Sequence, residues 1–501
     1  MELLSHLALG FETALTPLNL FYCFAGVLIG TLIGVLPGLG PAPTVAMLLP
    51  LSFGLPPVSA FIMLSGIFYG AQYGGSTTAI LINTPGESSS VVTALDGYQM
   101  ARKGRAGEAL AMAAMGSFVA GTIATFIIAL LAPPLARAAL LFGPAEYFSL
   151  MVLGIIAAIA LAHGSIVKAI AMAILGLLFG LVGTDITSGV RRYTFGMLDL
   201  YDGIAIVALA MGLFSIAEVL RNLDDRSEQE VGAAQITGLL TGLARFREAL
   251  GSILRGTAIG SVLGILPGGG ATLSSFASYA IEKKISGEPE KFGSGVLQGL
   301  AGPEAANNAG AQTSFIPMLT LGLPSNPVMA LMIGALMIHG IQPGPNVISE
   351  QPALFWGLIV SMWIGNAMLV VLNLPLVGLW VRLLTFPYHL LFPTIIVITC
   401  IGVFSFSNSM FDVWMLIIFG AAGYCFVKLR CEPAPMLLGF ILGPMMEEHL
   451  RRALLLSRGN AMVLIERPIS AAMLLLAALL LIAPALSIVR RRREEIFAEE
   501  S

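Results

Sequence analysis

The feature that most constrains this chain is a succession of apolar stretches, running from one end to the other, that are long enough to cross a lipid bilayer. A membrane-spanning helix needs about 20 predominantly apolar residues. Hydrophobic residues make up 57% of the chain and charged residues only 11%, against about 25% charged in soluble domains. The sequence therefore predicts an all-α polytopic membrane protein embedded in a bilayer. Its net charge of −3 argues against a nucleic-acid partner.

The apolar stretches form two groups on either side of a polar, charge-rich segment. We expect a first membrane repeat in 1–220, a solvent-exposed cytoplasmic linker in 221–254, a second repeat in 255–460, and a C-terminal transmembrane helix with a charged cytoplasmic tail in 461–501. Predicted spans lie at 19–36, 58–82, 108–131, 146–162, 166–182, 203–220, 256–266, 312–341, 354–377, 393–406, 413–427, 435–446 and 469–489. The segments after 377 are short, so interfacial or re-entrant helices stay open there.

Basic residues near the spans set the orientation, because cytoplasmic loops are enriched in Lys and Arg. Clusters at 102–105, in the linker and at 490–493 are expected on the cytoplasmic side. Arg191 and Arg192 conflict with this scheme, because it places them outside.

A helix-breaking motif occurs twice within apolar sequence. "GTLIGVLPGLG" occupies 30–40, and "GSVLGILPGGG" occupies 260–270. The second copy lies between Arg255 and Lys283, a separation too short for two crossings, so we expect a hairpin that enters the membrane and returns. A second pair follows in the same order, "GAQYGGSTTAILINTPG" at 70–86 and "GAQTSFIPMLTLGLPSN" at 310–326. An odd number of predicted crossings separates the copies, which predicts two inverted repeats, a pattern typical of secondary transporters.

Non-helical backbone at membrane depth is tolerated only inside protein or beside a water-filled cavity. Freed amides at a helix start attract anions, and freed carbonyls can hold a cation. The predicted substrate-binding residues are Gly38, Gly40, Pro41, Asn83, Thr84, Pro85, Gly86, Ser88, Gly268, Gly269, Gly270, Asn307, Asn308, Gln312, Thr313, Pro324, Ser325 and Asn326. A possible Na⁺ would be held by backbone carbonyls near Gly38, Gly40, Gly268 and Gly270. Tight helical turns and small-residue packing are the alternative interpretation.

Other polar residues have plainer interpretations. Few cationic side chains lie near either break, so helix starts, Asn and Thr side chains and a co-bound cation would have to neutralise an anion. The sequence is equally consistent with Glu304 as a buried ionisable group and as a carboxylate in a loop. Asp96 is expected to be solvated. No ATP-binding loop or H-E-x-x-H motif is present, and neither cofactor chemistry nor an enzymatic constellation is indicated.

The stretches "GVLPGLGPAPTVAMLLPL", "YGGSTTAILINTPGE", "LPGGGA", "GPEAANNAGAQTSFIPMLTLGLP" and "MIHGIQPGP" resemble the large membrane subunit of tripartite tricarboxylate transporters, from about residue 20 to about 460. The resemblance implies a bacterial inner-membrane transporter with about twelve helices. It also implies two partners, a small membrane subunit and a periplasmic solute-binding protein. It implies carboxylate uptake, for example of citrate, driven by a Na⁺ or H⁺ gradient.

One departure from that family's pattern follows Pro324, where Ser325 stands in place of an expected Gly. The added side chain puts the local backbone geometry and the substrate preference in question. A passive channel, a non-transporting membrane scaffold or an enzyme acting on a lipid-soluble substrate are the alternatives to an ion-coupled importer.

Overall fold

The computed structural model describes residues 2–36, 39–162, 165–185, 187–224, 244–266, 268, 270–383 and 388–482. Most of the regular structure in these residues is helical, as the composition predicts. The α-helices, in chain order, are α1 Glu2–Ala14, α2 Pro17–Gly34, α3 Pro41–Leu48, α4 Pro57–Ile82, α5 Val91–Met100, α6 Ala106–Ala139, α7 Pro144–Leu161, α8 Ile166–Gly180, α9 Ile206–Ala210, α10 Ala217–Asp224, α11 Phe246–Leu263, α12 Gly270–Ile285, α13 Leu297–Thr313, α14 Phe315–Leu321, α15 Pro327–Ile338, α16 Val347–Glu350, α17 Pro352–Asn373, α18 Val377–Leu383, α19 Tyr388–Ser407, α20 Met410–Lys428, α21 Ala434–Leu456, α22 Val463–Glu466 and α23 Pro468–Ile482.

Short irregular turns connect several of these helices. Many helices begin at a proline, which fits a first helical turn because its missing N–H would have no intrahelical partner there. α9 and α10 are joined by a π-helical turn, and α5 and α6 by another in which Gly104 has φ 75°. The turns are 3₁₀ at Leu49–Ser52, Ser88–Ser90, Leu198–Leu200 and Pro289–Lys291, and π at Ala101–Arg105 and Met211–Ile216.

Six helical segments are long and apolar enough to cross a membrane: Pro17–Gly34, Ser88–Ala139, Pro144–Leu161, Ile206–Asp224, Pro352–Asn373 and Met410–Lys428. Five shorter apolar helices accompany them in the described residues. The total of about twelve spans stays a prediction. The predicted span 312–341 is not one helix, because left-handed backbone at Gly322 ends α14 before α15 begins. Most of the predicted linker and the tail from 483 lie outside the described residues.

Two matched glycine rows bring helices into close contact. On α2, a Cβ at Gly26, Gly30 or Gly34 would overlap a backbone carbonyl of α4. On α11, a Cβ at Gly256, Gly260 or Gly264 would overlap a backbone carbonyl of α13 in the same way. Small residues at a four-residue spacing allow this approach of two backbones, which is how helices associate in lipid. The helix before the first break of each half therefore packs closely on another helix of the same half, α2 on α4 and α11 on α13.

The helices flanking the second break form a hairpin. The guanidinium of Arg255 on α11 binds the carboxylate of Glu282 on α12, with 2.7 Å between Nη2 and Oε2. Glu282 is 2% exposed. This ion pair brings the two far ends of the hairpin side by side, as a segment that enters and returns requires. The membrane face from which it enters stays a prediction.

Two of the basic clusters assigned to the cytoplasm lie at the same end of the molecule. Arg105 and Arg245 both bind Oε1 of Glu108, at 2.7 and 2.6 Å. The common carboxylate explains how a cluster in the first half and the end of the linker come together.

A hairpin between α8 and α9 contains the two arginines that conflict with the orientation rule. Its strands β1 Gly183–Thr184 and β2 Arg191–Arg192 are antiparallel, and Arg192 binds both Asp185 and Glu447, at 2.6 and 2.8 Å. The Ser188 hydroxyl and the Arg192 guanidinium hold the pKa of Asp185 well below its usual range. Because two carboxylates accompany Arg192, its charge is neutralised locally, which weakens it as an orientation signal.

Candidate functional site

In the described residues, the two repeated motifs form two helix breaks in each half, and the second break of each half has the same backbone course. Asn83 (φ 54°, ψ 31°) ends α4 in left-handed geometry, and Gly322 (φ 69°, ψ 23°) ends α14 likewise. Glu87 (φ −151°, ψ 164°) and Asn326 (φ −156°, ψ 171°) are then the extended residues that precede the next helix. Five residues in each half thus carry the chain from a helix end to a new helix start.

The two breaks of each half contact one another. In the first half, a Cβ at Gly40 would lie 2.6 Å from the carbonyl oxygen of Gly86, so only glycine permits this approach. In the second half, the backbone N–H of Gly268 donates to the carbonyl of Ser325 at 2.8 Å. Gly268 and Gly270 have φ of 77° and 47°, in the region that favours glycine. Close contact explains Gly40, and backbone conformation explains Gly268 and Gly270.

A cavity of about 1060 Å³ lies between these breaks. Four helix starts line it: Gly40 and Pro41 at α3, Ser88 at the 3₁₀ turn leading into α5, Gly270 at α12, and Asn326 at α15. Helix starts present unpaired N–H groups and a partial positive charge, which favour anions. Pro41, Pro43 and Pro327 have no N–H, and the Asn326 side chain accepts from the Met329 amide, so the starts of α3 and α15 offer few free amides. The partial positive charge of the four helix starts is the feature that favours an anion.

The model of the tripartite tricarboxylate transporter TctA family matches residues 20–438 of this chain. The chain belongs to that family. The match covers both breaks of each half and all the residues that line the cavity. Transporter subunits, rather than enzymes, make up the TctA family, and family membership together with the apolar helices identifies a multi-pass membrane protein.

Two curated relatives are similar to the chain. An uncharacterized 52.8 kDa protein in the TAR-I ttuC' 3' region of Agrobacterium vitis is 58% identical over 500 residues, covering both chains completely. An uncharacterized protein in the TAR-II ttuC' 3' region of the same organism is 56% identical over 241 residues, which are 48% of this chain and all of the relative. No solved structure matches the chain.

The TctA-family cavity includes some of the residues predicted from the sequence. The ones that line it are Gly40, Pro41, Thr84, Pro85, Gly86, Ser88, Gly268, Gly270, Ser325 and Asn326. Gly38 and Gly269 lie outside the described residues. Six further predicted residues do not line the cavity, and a role for them in substrate binding stays a prediction: Asn83, Asn307, Asn308, Gln312, Thr313 and Pro324.

The four of these residues that lie on α13 have hydrogen-bond partners inside the helix bundle. Asn83 is exposed at the end of α4, and Pro324 is buried behind the second break. On α13, Gln312 Oε1 accepts from Thr125 at 2.6 Å, and the Thr313 hydroxyl donates to the carbonyl of Ala309 at 2.9 Å. The polar segment before 313 is therefore a buried helix rather than a ligand-facing loop.

The Asn pair of α13 links the cavity to the helix interior. Asn307 Oδ1 accepts from Nε2 of Gln72 at 2.5 Å, and its Nδ2 lies 3.5 Å from Oε1 of Glu87. Gln72 and Glu87 line the cavity. Asn307 therefore contacts two residues of the lining without lining the cavity itself. Asn308 donates to Ser117 at 2.6 Å, beside the carboxylate of Glu304.

Ser325 does not disturb the break. It is not among the residues with positive φ, its side chain is buried, and its hydroxyl donates to the carbonyl of Ser314 at 3.4 Å. The matching Gly86 is needed for a different reason, because a Cβ there would come within 2.8 Å of Gly75 Cα. The backbone geometry therefore tolerates the departure.

The sequence analysis missed several charged residues at the cavity and misjudged another. Arg221 lines it, with Glu87, Glu218 and Glu432. A single guanidinium in the lining agrees with the expectation of few cationic side chains near the breaks. Arg221 was overlooked because it begins the charge-rich segment assigned to the linker. Asp96 is not solvated: its carboxylate is buried and accepts from the amides of 293, 295 and 296.

Proposed function

We propose that this chain is the transport subunit that carries di- or tricarboxylates, such as citrate, across the bacterial inner membrane. A periplasmic solute-binding protein would deliver the substrate, a small membrane subunit would complete the complex, and a Na⁺ or H⁺ gradient would drive uptake. The observation that carries the proposal is the convergence of four helix starts on one cavity. A passive channel or a non-transporting scaffold is the alternative.

The charges of the cavity favour a coupled carrier over a passive anion pore. One guanidinium, Arg221, accompanies the carboxylates of Glu87, Glu218 and Glu432 in the lining. Arg221 lies 3.5 Å from Glu218, so part of its charge is already neutralised. An anionic substrate in such surroundings needs a compensating cation, because unlike charges attract strongly at low dielectric. Binding of the two together is a cooperative step worth typically 1–3 kcal/mol, or about 5–150-fold.

Two residues of the cavity lining, Arg221 and Asn222, are the first two of the segment predicted to be cytoplasmic. In this proposal the structure is the inward-facing state, from which substrate leaves to the cytoplasm.

Reconstituted vesicles containing both membrane subunits and the binding protein test the proposal. Uptake of citrate and of C4-dicarboxylates is measured with a Na⁺ gradient alone and with a pH gradient alone. One gradient should drive accumulation against the substrate gradient. Equilibration that ignores both gradients would indicate a channel, and absence of any uptake would indicate a scaffold.

A matched pair of variants tests the cavity itself. Arg221→Gln removes the guanidinium from the lining, whereas Arg247→Gln removes an exposed guanidinium from α11 outside the cavity. Arg221→Gln should raise the KM for uptake about five-fold, the equivalent of about 1 kcal/mol. This is less than a buried charge-assisted contact contributes, about 1.5–3 kcal/mol, because the Arg221 side chain is 56% exposed. Equal kinetics in the two variants would remove Arg221 from the site.

A further inference from the structure

A second, much smaller cavity lies inside the helix bundle, next to a buried carboxylate. It has a volume of about 20 Å³, which is room for one water-sized particle. Its polar lining consists of Tyr73, Ser76, Thr77, Ser117, Glu304 and Asn373. All six are oxygen-bearing side chains, drawn from α4, α6, α13 and α17.

Four side chains donate hydrogen bonds to the carboxylate of Glu304. Its Oε1 accepts from Ser76 at 2.8 Å, Ser117 at 3.1 Å and Asn308 at 3.2 Å. Its Oε2 accepts from Thr93 at 2.8 Å. Donors directed at a carboxylate favour its ionised form, whereas burial away from water opposes it.

This carboxylate has no counter-ion within the described part of the chain. Glu304 is 1% exposed and forms no salt bridge there. An isolated buried charge is costly, and in membrane proteins such groups bind protons or ions or pair with one another. The four hydrogen-bond donors are neutral side chains, so none of them would balance a negative charge on Glu304.

An independent observation on α17 points to the same cavity. Asn373 is 7% exposed, and its Nδ2 donates to the carbonyl of Leu369 at 2.9 Å. Its Oδ1 is buried and has no hydrogen-bond partner among the described residues. Buried acceptors without partners are rare, so this one indicates a missing ligand.

We infer that the small cavity is a binding site for one dehydrated Na⁺, held by Glu304, by Asn373 Oδ1 and by the surrounding hydroxyl oxygens. The inference rests on the proposed function, because it assigns the coupling cation of that carrier to a specific site. A single carboxylate neutralises a monovalent ion, whereas a divalent ion would leave an excess positive charge. No group of three His, Cys, Asp or Glu suited to a metal ion occurs among the described residues.

Na⁺ fits the lining better than a proton does. A proton on Glu304 would remove the negative charge but leave Asn373 Oδ1 without a partner. A bound cation satisfies both, and hard cations prefer oxygen ligands. The hydroxyls of Ser76 and Ser117 can donate to Glu304 and still offer a lone pair to the ion.

The site is connected to the substrate cavity through one helix. Glu304 lies three residues before Asn307 on α13, and Asn307 contacts Gln72 and Glu87 of the cavity wall. A cation bound at Glu304 would restrict the motion of α13, and with it Asn307, the hydrogen-bond partner of Gln72 and Glu87. This differs from the earlier expectation of Na⁺ at backbone carbonyls near Gly40 and Gly270.

Equilibrium binding of ²²Na⁺ to the purified complex of both membrane subunits tests the site without requiring transport. Wild type should bind ²²Na⁺ saturably, with little displacement by K⁺. Glu304→Gln should weaken binding at least ten-fold, and Asn373→Leu should weaken it while the carboxylate remains. Glu282→Gln is the matched control, since this buried carboxylate already binds Arg255; it should bind ²²Na⁺ like wild type.

Thermal unfolding of each variant with and without NaCl provides the second readout. Na⁺ should raise the unfolding temperature of wild type and Glu282→Gln by mass action, but not that of Glu304→Gln. If wild type binds no ²²Na⁺, or if Glu304→Gln and Asn373→Leu bind it normally, the site is wrong. Carboxylate uptake that persists in that case would leave the proposed function intact. Normal ²²Na⁺ binding with no carboxylate uptake would instead refute the proposed function and keep the site.

Discussion

The break at Gly268 offers the most direct test of how the cavity is built. Gly268→Ala should abolish or strongly reduce carboxylate uptake, whereas Gly340→Ala should not. The two glycines have nearly the same backbone conformation, with φ 77° and 71°. Alanine in left-handed geometry costs about 1–2 kcal/mol at either position.

The two positions differ in their surroundings. A Cβ at Gly268 would lie 3.0 Å from Ala158 Cα and 3.1 Å from the carbonyl oxygen of Ala157, both backbone atoms of α7. A Cβ at Gly340 would meet nothing within 4 Å. Overpacking of this kind costs about 1–3 kcal/mol, so Gly268→Ala should destabilise by about 2–5 kcal/mol in total. Ala158 lines the cavity, so relief of the overlap by a shift of α7 would change its shape.

Uptake by vesicles and the unfolding temperature of the purified complex are measured for both variants. We expect Gly340→Ala to retain uptake with a small decrease in unfolding temperature. We expect Gly268→Ala to assemble, to unfold at a lower temperature and to lose uptake. Equal uptake by the two variants would refute a role for close packing between this break and α7.

Three further predictions concern packing and polar contacts outside the cavity. Gly260→Ala should lower the unfolding temperature by the equivalent of about 1–3 kcal/mol, unlike Gly287→Ala, where a Cβ meets open space; equal effects would refute the packing argument. Asp96→Asn should speed hydrogen exchange at the backbone amides that donate to the Asp96 carboxylate, and it should lower the free energy of unfolding by about 1–3 kcal/mol. Unchanged protection of these amides would show that the bonds contribute little. The pKa of Asp185 is lower in the folded hairpin than in the unfolded chain, where it is about 3.9, so ionised Asp185 stabilises the hairpin above that pH. Protection of the hairpin from proteolysis should therefore fall below about pH 4, and it should be reduced at neutral pH in Asp185→Asn. Protection that does not depend on pH would contradict this.

The sequence predicted several of the apolar helices and the breaks at the two Pro-Gly motifs, but not the role of α13. Long apolar runs and prolines determine where α2, α4 and α17 lie, since both signals act locally. α13 contains Glu304, Asn307 and Asn308, so its polarity resembled a loop. Only the tertiary structure shows that hydroxyls on α4, α5 and α6 satisfy these groups inside the bundle. Arg221 was missed for a related reason, because composition could not separate the end of a helix from the charged segment that follows it.

A comparison of the two halves predicts how many ions the proposed Na⁺ site binds. If the motif pair relates Gly70 to Gly310, the position that matches Glu304 is Leu64, which is fully buried and cannot bind a cation. The helix starts around the substrate cavity occur in both halves, whereas the buried carboxylate occurs in one. We therefore expect ²²Na⁺ to saturate the Glu304 site at one ion per chain. Two ions per chain, with one retained in Glu304→Gln, would place a second ion elsewhere, and Glu87 in the cavity wall is the carboxylate to substitute next.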